Sequence, residues 1–167
     1  MDANAKKVAL RMIPYGLYIL SSGTENGRVA GRVVSWVTQA SFEPPLLVVA
    51  VKTGSVVHNL IKETGAFALN VLKKGQQALA TRFFKPVEAE GALLGGEPFH
   101  FGHAGTPIIE NAVAHLECMF VDAVEEGDHT IVVGKVVDAG IAEMPAGRPD
   151  ELTLRVQDVN AAMFYGG

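Results

Sequence analysis

The sequence predicts a mainly β protein, an antiparallel barrel with a few short helices. Three observations predict it. β-forming runs recur along the chain, an Asn-Gly pair and other turn signals join them as hairpins, and helical patterns are few and about ten residues long. Closing such a sheet removes exposed edges, and the helices then cover its openings. The 167 residues, 49% hydrophobic and 19% charged, suit a single domain over residues 1–167 with a sizeable core.

The elements follow in order. Residues 3–13 place Val8, Ala9, Met12 and Ile13 on one helical face, with Asp2 as cap and Pro14 as stop. YGLYILSS, residues 15–22, reads as a strand. GTENG, residues 23–27, is its turn, and one return strand is expected from about Arg28 to Thr38. Residues 46–52 form a continuous apolar strand, expected to be buried on both faces. Residues 54–63 read as a helix begun near Ser55 and ended by Gly65. AFALNVL, residues 66–72, alternates as a strand, and residues 74–84 read as a second helix. Residues 86–107, rich in Gly, Pro and His, are expected to be irregular. Residues 111–124 and 130–142 are long strands joined by a hairpin at EEGDH. After the loop PAGRPD, a last strand or two is expected at residues 152–165.

Composition excludes several function classes. The net charge is −4 with 14 Lys+Arg, so there is no basic excess to attract nucleic acid or an acidic membrane. The apolar run at residues 46–51 is far too short to cross a bilayer, and MDANAKKVALRMIP lacks an apolar signal region, which reads as cytoplasmic. A single cysteine, Cys118, rules out an internal disulfide and any multi-cysteine metal site, and reads as a buried thiol.

The chain contains neither G-x-x-x-x-G-K-[ST] nor G-x-G-x-x-G between a strand and a helix, so a nucleotide would have to bind a barrel. In GRVVSWVTQAS, residues 31–41, one strand face carries Arg32, Val34, Trp36 and Thr38. The other carries Val33, Ser35, Val37 and Gln39. Neither face is uniformly apolar, which fits a strand beside a polar flat ligand and equally an interface strand. The chain is expected to leave its ladder at Gln39-Ala40-Ser41, freeing backbone groups for a planar heterocycle, before Pro44 and Pro45 set the path onward. KTGS, residues 52–55, opens a helix; Lys52 and Ser55 suit an anion there, and Ser55 equally suits simple capping. Arg82 complements its helix dipole. His100, His103 and His115 complete no metal-ligand spacing, so no metal is expected. His129 follows Gly127-Asp128 at a hairpin mouth, where it either reaches over a pocket or shapes the turn.

Taken in order, these segments resemble the flavin reductase-like family of FMN-binding split barrels. The likeness runs from about Pro14 to Val137 and is carried by residues 31–35, Ser41-Phe42-Glu43-Pro44-Pro45, GAFALNVL at 65–72, QQALATRF at 76–83, LEC at 116–118 and GDHTIVVGKV at 127–136. The resemblance implies a split barrel. It implies FMN lined by Arg32, Val33, Val34, Ser35, Gln39, Ala40 and Ser41, with Lys52, Ser55 and His58 near the ribityl-phosphate end. His129 then stands near the flavin face or the substrate side, positioning the donor. Ala30, Val33 and Val57 stand where Asn, Thr and Thr are common, each removing a polar contact that Arg32 or Lys52 would make good. Trp36 is bulkier than the usual residue and either narrows the site or lies against the ring. The implied activity is an FMN-dependent oxidoreductase of flavin reductase type. It would pass electrons from NADH or NADPH to a flavin, a metal chelate or a protein acceptor, commonly as a homodimer. Two alternatives stay open: a non-enzymatic FMN electron-transfer protein with a protein partner, and a structural or haem-binding split barrel.

Overall fold

The structure is a computed structural model describing residues 1–166. Helix α1, Ala3–Arg11, is capped by Asp2, whose Oδ1 accepts from the Asn4 amide at 2.9 Å. None of its residues is buried, and Val8, Met12 and Ile13 are exposed, so the expected apolar face has no core beneath it. Strands β1, Tyr18–Gly23, and β2, Val29–Val34, pair antiparallel across the Asn-Gly turn. Gly23 closes this hairpin at φ 152°, where a Cβ would stand 2.3 Å from the Arg28 carbonyl oxygen.

The return strand expected over residues 28–38 is two strands. β2 ends at Val34, and β3, Val37–Ser41, begins after Ser35 and Trp36. One straight strand cannot serve both neighbours, because β2 pairs with β1 whereas β3 pairs with β4, Leu46–Lys52. The exit from the ladder expected at Gln39-Ala40-Ser41 is therefore misplaced. That stretch stays in β3 with a register shift between Gln39 and Ser41, and the corner lies at Ser35-Trp36. A turn with a cis Glu43–Pro44 bond leads into β4. β4 buries Leu47, Val49 and Val51, leaves Leu46, Val48 and Ala50 half-covered and Lys52 exposed, and so is not buried on both faces as expected.

Helix α2, Val56–Thr64, starts at Ser55, whose Oγ accepts from the His58 amide at 3.3 Å. It stops at Gly65, left-handed at φ 70°. β5, Ala66–Val71, is central and almost wholly buried. After α3, Gln77–Arg82, the region expected to be irregular holds four short strands. These are β6 Val87–Glu90, β7 Leu93–Leu94, β8 Glu97–Phe101 and β9 Pro107–Ile109. β10, Ala114–Val124, and β11, His129–Ile141, form the long hairpin. The strands expected at residues 152–165 do not form. Instead α4, Pro149–Leu152, and α5, Val156–Val159, occupy the segment, linked to the rest by isolated bridges Gly16–Arg155 and Lys73–Thr153. Pro149 begins a helix well, and Asp158 caps α5 by accepting from the Arg155 amide at 2.8 Å.

The strand order is β3-β4-β11-β10-β5-β1-β2-β6-β7-β8-β9, an antiparallel sheet open in its hydrogen bonding. One apolar cluster joins Ala30 and Val34 of β2 to Leu47, Val49 and Val51 of β4, with Leu60 and Ile61 of α2. A second packs Leu17, Ile19, Leu72, Phe83, Leu94 and Leu154 on the other side. Burial in these two clusters is the main stabilising term. Among the described residues, no helix is long and apolar enough to cross a membrane.

Candidate functional site

The corner at Ser35-Trp36 sits at the edge of a cleft of about 210 Å³. Its floor is apolar, from Leu17, Val33, Val34, Ala50 and Phe84. Three elements bring polar groups to it. β2 contributes Arg32 and then Ser35 at its exit; β4 contributes Lys52 at its end; β11 contributes His129 at its start. Lys52 and His129 face each other across the β4–β11 ladder.

The corner is fixed by backbone bonds. The Val33 amide donates to the Phe83 carbonyl at 2.9 Å, and the Ala50 amide donates to the Trp36 carbonyl at 2.9 Å. This carries the indole over the cleft. Its ring centroid lies 4.9 Å from that of His129 and 6.4 Å from that of Tyr15. The indole Nε1 is buried without a hydrogen-bond partner.

His129 uses both ring nitrogens. Nδ1 lies 3.0 Å from Asp128 Oδ1 and Nε2 lies 2.9 Å from the Tyr165 hydroxyl. An ionised Asp128 accepts from Nδ1–H, which leaves Nε2 to accept from Tyr165, a tautomer assigned from these partners. The hydrogen bond from His129 is the main cause that holds the Asp128 carboxyl below the ordinary carboxylate value, and the Lys52 ammonium adds to it. Arg32 and Lys52 give the cleft two cations, the donor set an anionic ligand requires. A planar aromatic ligand carrying a phosphate fits this chemistry: apolar floor, aromatic wall, an unpartnered N–H and two cations.

The sequence-derived residues fall in three places. Arg32, Val33, Val34, Ser35, Lys52 and His129 meet in the cleft. Gln39 and Ala40 are exposed on edge strand β3, and Gln39 Nε2 donates to the Ser41 carbonyl at 3.3 Å. Ser55 and His58 belong to the closed N-terminus of α2. Ser55 Oγ holds the His58 amide, the Gly54 amide donates to His58 Nδ1 at 3.3 Å, and His58 Nε2 lies 3.0 Å from Thr130 Oγ1. Arg82 pairs with Glu97.

Tyr165, Met163 and Phe84 also line the cleft, and no local motif marks them. The aromatic-rich sequence MFYGG following α5 was the available signal for Tyr165. His100, His103 and His115 line a separate hollow beside Glu117, and among the described residues no group of side chains could hold a metal ion. Glu117 is fully buried and accepts from the Ala104 amide at 3.0 Å and from Thr106 Oγ1, pinning the loop before β9. Burial, then the neighbouring Glu117, pushes the Cys118 thiol up to about 12, in keeping with an inert core thiol.

Comparison with known proteins places this geometry in a family. The sequence pattern described as "Flavin reductase like domain" matches residues 10–159. The chain is 30% identical over 149 residues to the NADH-dependent flavin reductase StyB of Pseudomonas fluorescens, covering 89% of this chain and 85% of the relative. It is 34% identical over 145 residues to diflavin flavoprotein A 1 of Synechocystis; the match covers 86% of this chain but only 25% of that protein's length. An FMN-binding protein of Thermus thermophilus, solved with 1-cyclohex-2-enone, superposes with a TM-score of 0.67 at 27% identity, over 77% of this chain and 71% of that one. The chain belongs to the flavin reductase-like domain family.

Proposed function

We propose that residues 1–167 form one flavin reductase-like domain that works as a flavin-dependent oxidoreductase. NADH or NADPH is the donor, FMN the cofactor, and a free flavin, a ferric chelate or a protein the acceptor. The observation that carries this reading is the meeting of Arg32 and Lys52 with the Trp36 and His129 rings over one apolar floor. A bound flavin supplies the hydride and electron chemistry. The chain's own residues do the rest: Arg32 and Lys52 neutralise phosphate, the apolar floor excludes water, and His129 orients the donor through Nε2. The names of StyB and of the Thermus protein support a nicotinamide donor and FMN.

The sheet closes as a split barrel in this reading. β2 and β3 stand at opposite ends of the run β3-β4-β11-β10-β5-β1-β2, yet two residues join them, which supports a run curled back on itself. A homodimer covers the exposed apolar residues of the long hairpin, among them Val121, Val124, Ile131, Val137 and Ile141. A cytoplasmic setting matches a nicotinamide donor.

The test is reconstitution with FMN and FAD in parallel. FMN should be retained after desalting and identified by chromatography after heat release, and anaerobic NADH or NADPH should bleach it within the dead time of hand mixing. Light scattering on the same sample should give twice the chain mass. Failure to retain any flavin would sink the reading. Retention of FMN that neither nicotinamide reduces would leave the electron-transfer protein as the function.

A further inference from the structure

Residues 160–166, which follow α5, turn back over the cleft. Asn160 starts the turn: its Oδ1 accepts from the Ala162 amide at 2.9 Å, and its carbonyl accepts from the Met163 amide at 2.8 Å. Met163 then enters the cleft wall. The Phe164 ring lies under the Arg11 guanidinium, 4.6 Å from Cζ to the ring centroid. The Tyr165 ring packs 5.1 Å from Trp36, centroid to centroid, and its hydroxyl takes His129 Nε2. Gly166 lies against the indole, since a Cβ there would stand 2.8 Å from the ring.

Two features mark this arrangement as a placeholder. First, Tyr165 takes what a flat aromatic ligand would take: the indole ring and the outward nitrogen of His129, whose side chain is left only 12% exposed. Second, among the described residues three buried side-chain polar atoms lack partners, and two of them lie against this segment. They are Trp36 Nε1, beside Tyr165 and Gly166, and Arg11 Nε, beside Phe164. A buried N–H left unpaired is costly, so closure is opposed from within. Phe164 and Tyr165 remain partly exposed on their outer sides, so little apolar burial holds the segment down. The cleft beneath is about 210 Å³, below the roughly 300–1,000 Å³ usual for ligand sites.

We propose that residues 160–166 are a strap that holds the flavin cleft shut through Tyr165 and is displaced when the flavin enters. The inference rests on the flavin reading above. Closed, the strap satisfies His129 and covers Trp36. Open, it returns Nε2 of His129 and Nε1 of Trp36 to the ligand and enlarges the cleft. The apparent affinity for flavin is then the intrinsic affinity scaled by the open fraction, so a strap closed about nine-tenths of the time weakens binding roughly tenfold.

The experiment compares the full chain with Tyr165→Ala, Tyr165→Phe and a deletion of residues 161–167, using FMN as the probe. Tyr165→Ala and the deletion should bind FMN roughly tenfold more tightly by calorimetry, and Tyr165→Phe, which keeps the ring and loses the hydroxyl, should gain less. Trp36 is the sole tryptophan, so its emission without flavin reports the strap directly. It should shift to the red in Tyr165→Ala and in the deletion. Unchanged emission overturns the strap whatever happens to flavin. Equal FMN affinity in full chain and variants overturns the strap and leaves the flavin reading standing. Weaker FMN binding in the variants also overturns it, since the segment would then be a lid that closes over the ligand. If full chain and variants alike bind no FMN, the flavin reading falls and takes the strap with it.

Discussion

His58 is hydrogen-bonded to Thr130, the residue that follows His129 in the chain, yet the surroundings of the two histidines differ in kind. His58 is buried and bonded inward. The Gly54 amide donates to its Nδ1, which also lies 3.2 Å from Asn59 Oδ1, and its Nε2 lies 3.0 Å from Thr130 Oγ1, whose oxygen is in turn 3.0 Å from Thr53 Oγ1. These partners come from the turn between β4 and α2, from α2 itself and from β11. His129 is bonded outward, to an Asp128 side chain 83% exposed and to a tyrosine on a loosely held strap. A histidine whose partners belong to the folded frame fastens that frame. One whose partners are exposed side chains can exchange them for a ligand at little cost. The His58 ring has partners at both nitrogens, whereas Trp36 beside His129 keeps its Nε1 unpaired.

His58→Ala should destabilise the protein more than any substitution at His129. It removes most of a buried side chain, takes the His58 ring away from the Gly54 amide and from Thr130 Oγ1, which keeps only Thr53 Oγ1, and opens a cavity. The cost should be about 2–4 kcal/mol, which lowers the melting temperature by roughly 5–15 °C in a chain of this size. A melt within a degree of the unsubstituted protein would show that His58 is not a fastener.

His129→Ala sharpens the contrast from the other side. Its bonds reach exposed partners, so the melting temperature should move little. Loss of one oriented hydrogen bond to the donor is worth on the order of 1 kcal/mol, a several-fold to tenfold slower flavin reduction at full FMN occupancy. Stopped-flow reduction by NADH and NADPH beside a thermal melt reads both quantities. A lowered melt with an unchanged rate would make His129 a fastener of the fold like His58.

The same contrast explains what could be read from the sequence. Local rules wrote the Asn-Gly hairpin, the Ser55 cap, the Gly65 stop and the β10–β11 pair, because each is decided within a few residues. The corner at Ser35-Trp36 was not legible there, since it is fixed by bonds to Phe83 and Ala50, far along the chain. The expected departure at Gln39-Ala40-Ser41 failed for the same reason: the prolines after it signal a turn, but the neighbour that β3 needs is β4 itself. The helix 3–13 was legible and its packing was not, because periodicity shows an apolar face and not what covers it. In the cleft, Arg32, Ser35, Lys52 and His129 were legible from motif order, whereas Tyr165 meets His129 across 36 positions with no motif of its own. His58 reaches Thr130 across 72 positions, and only that contact shows its ring to be fully engaged.

The smallest effect concerns Asp128. Its carboxyl is held below the ordinary value, first by the hydrogen bond from His129 and then by positive charge. A depressed carboxyl contributes stability above the unfolded-state value near 4, and loses it as pH falls through the lower folded-state value. Asp128→Asn keeps an acceptor for His129 Nδ1–H and removes only the charge. The group is exposed, so solvent screens it and the melting temperature should fall by roughly a degree at neutral pH. That difference should shrink as the pH is lowered below about 4. Melts of both proteins from neutral pH into the acid range give the curve. A gap that stays constant through the acid range would mean that Asp128 acts by geometry alone. A gap of many degrees would mean that His129 is tied into the frame as firmly as His58, and the division between the two histidines would fail.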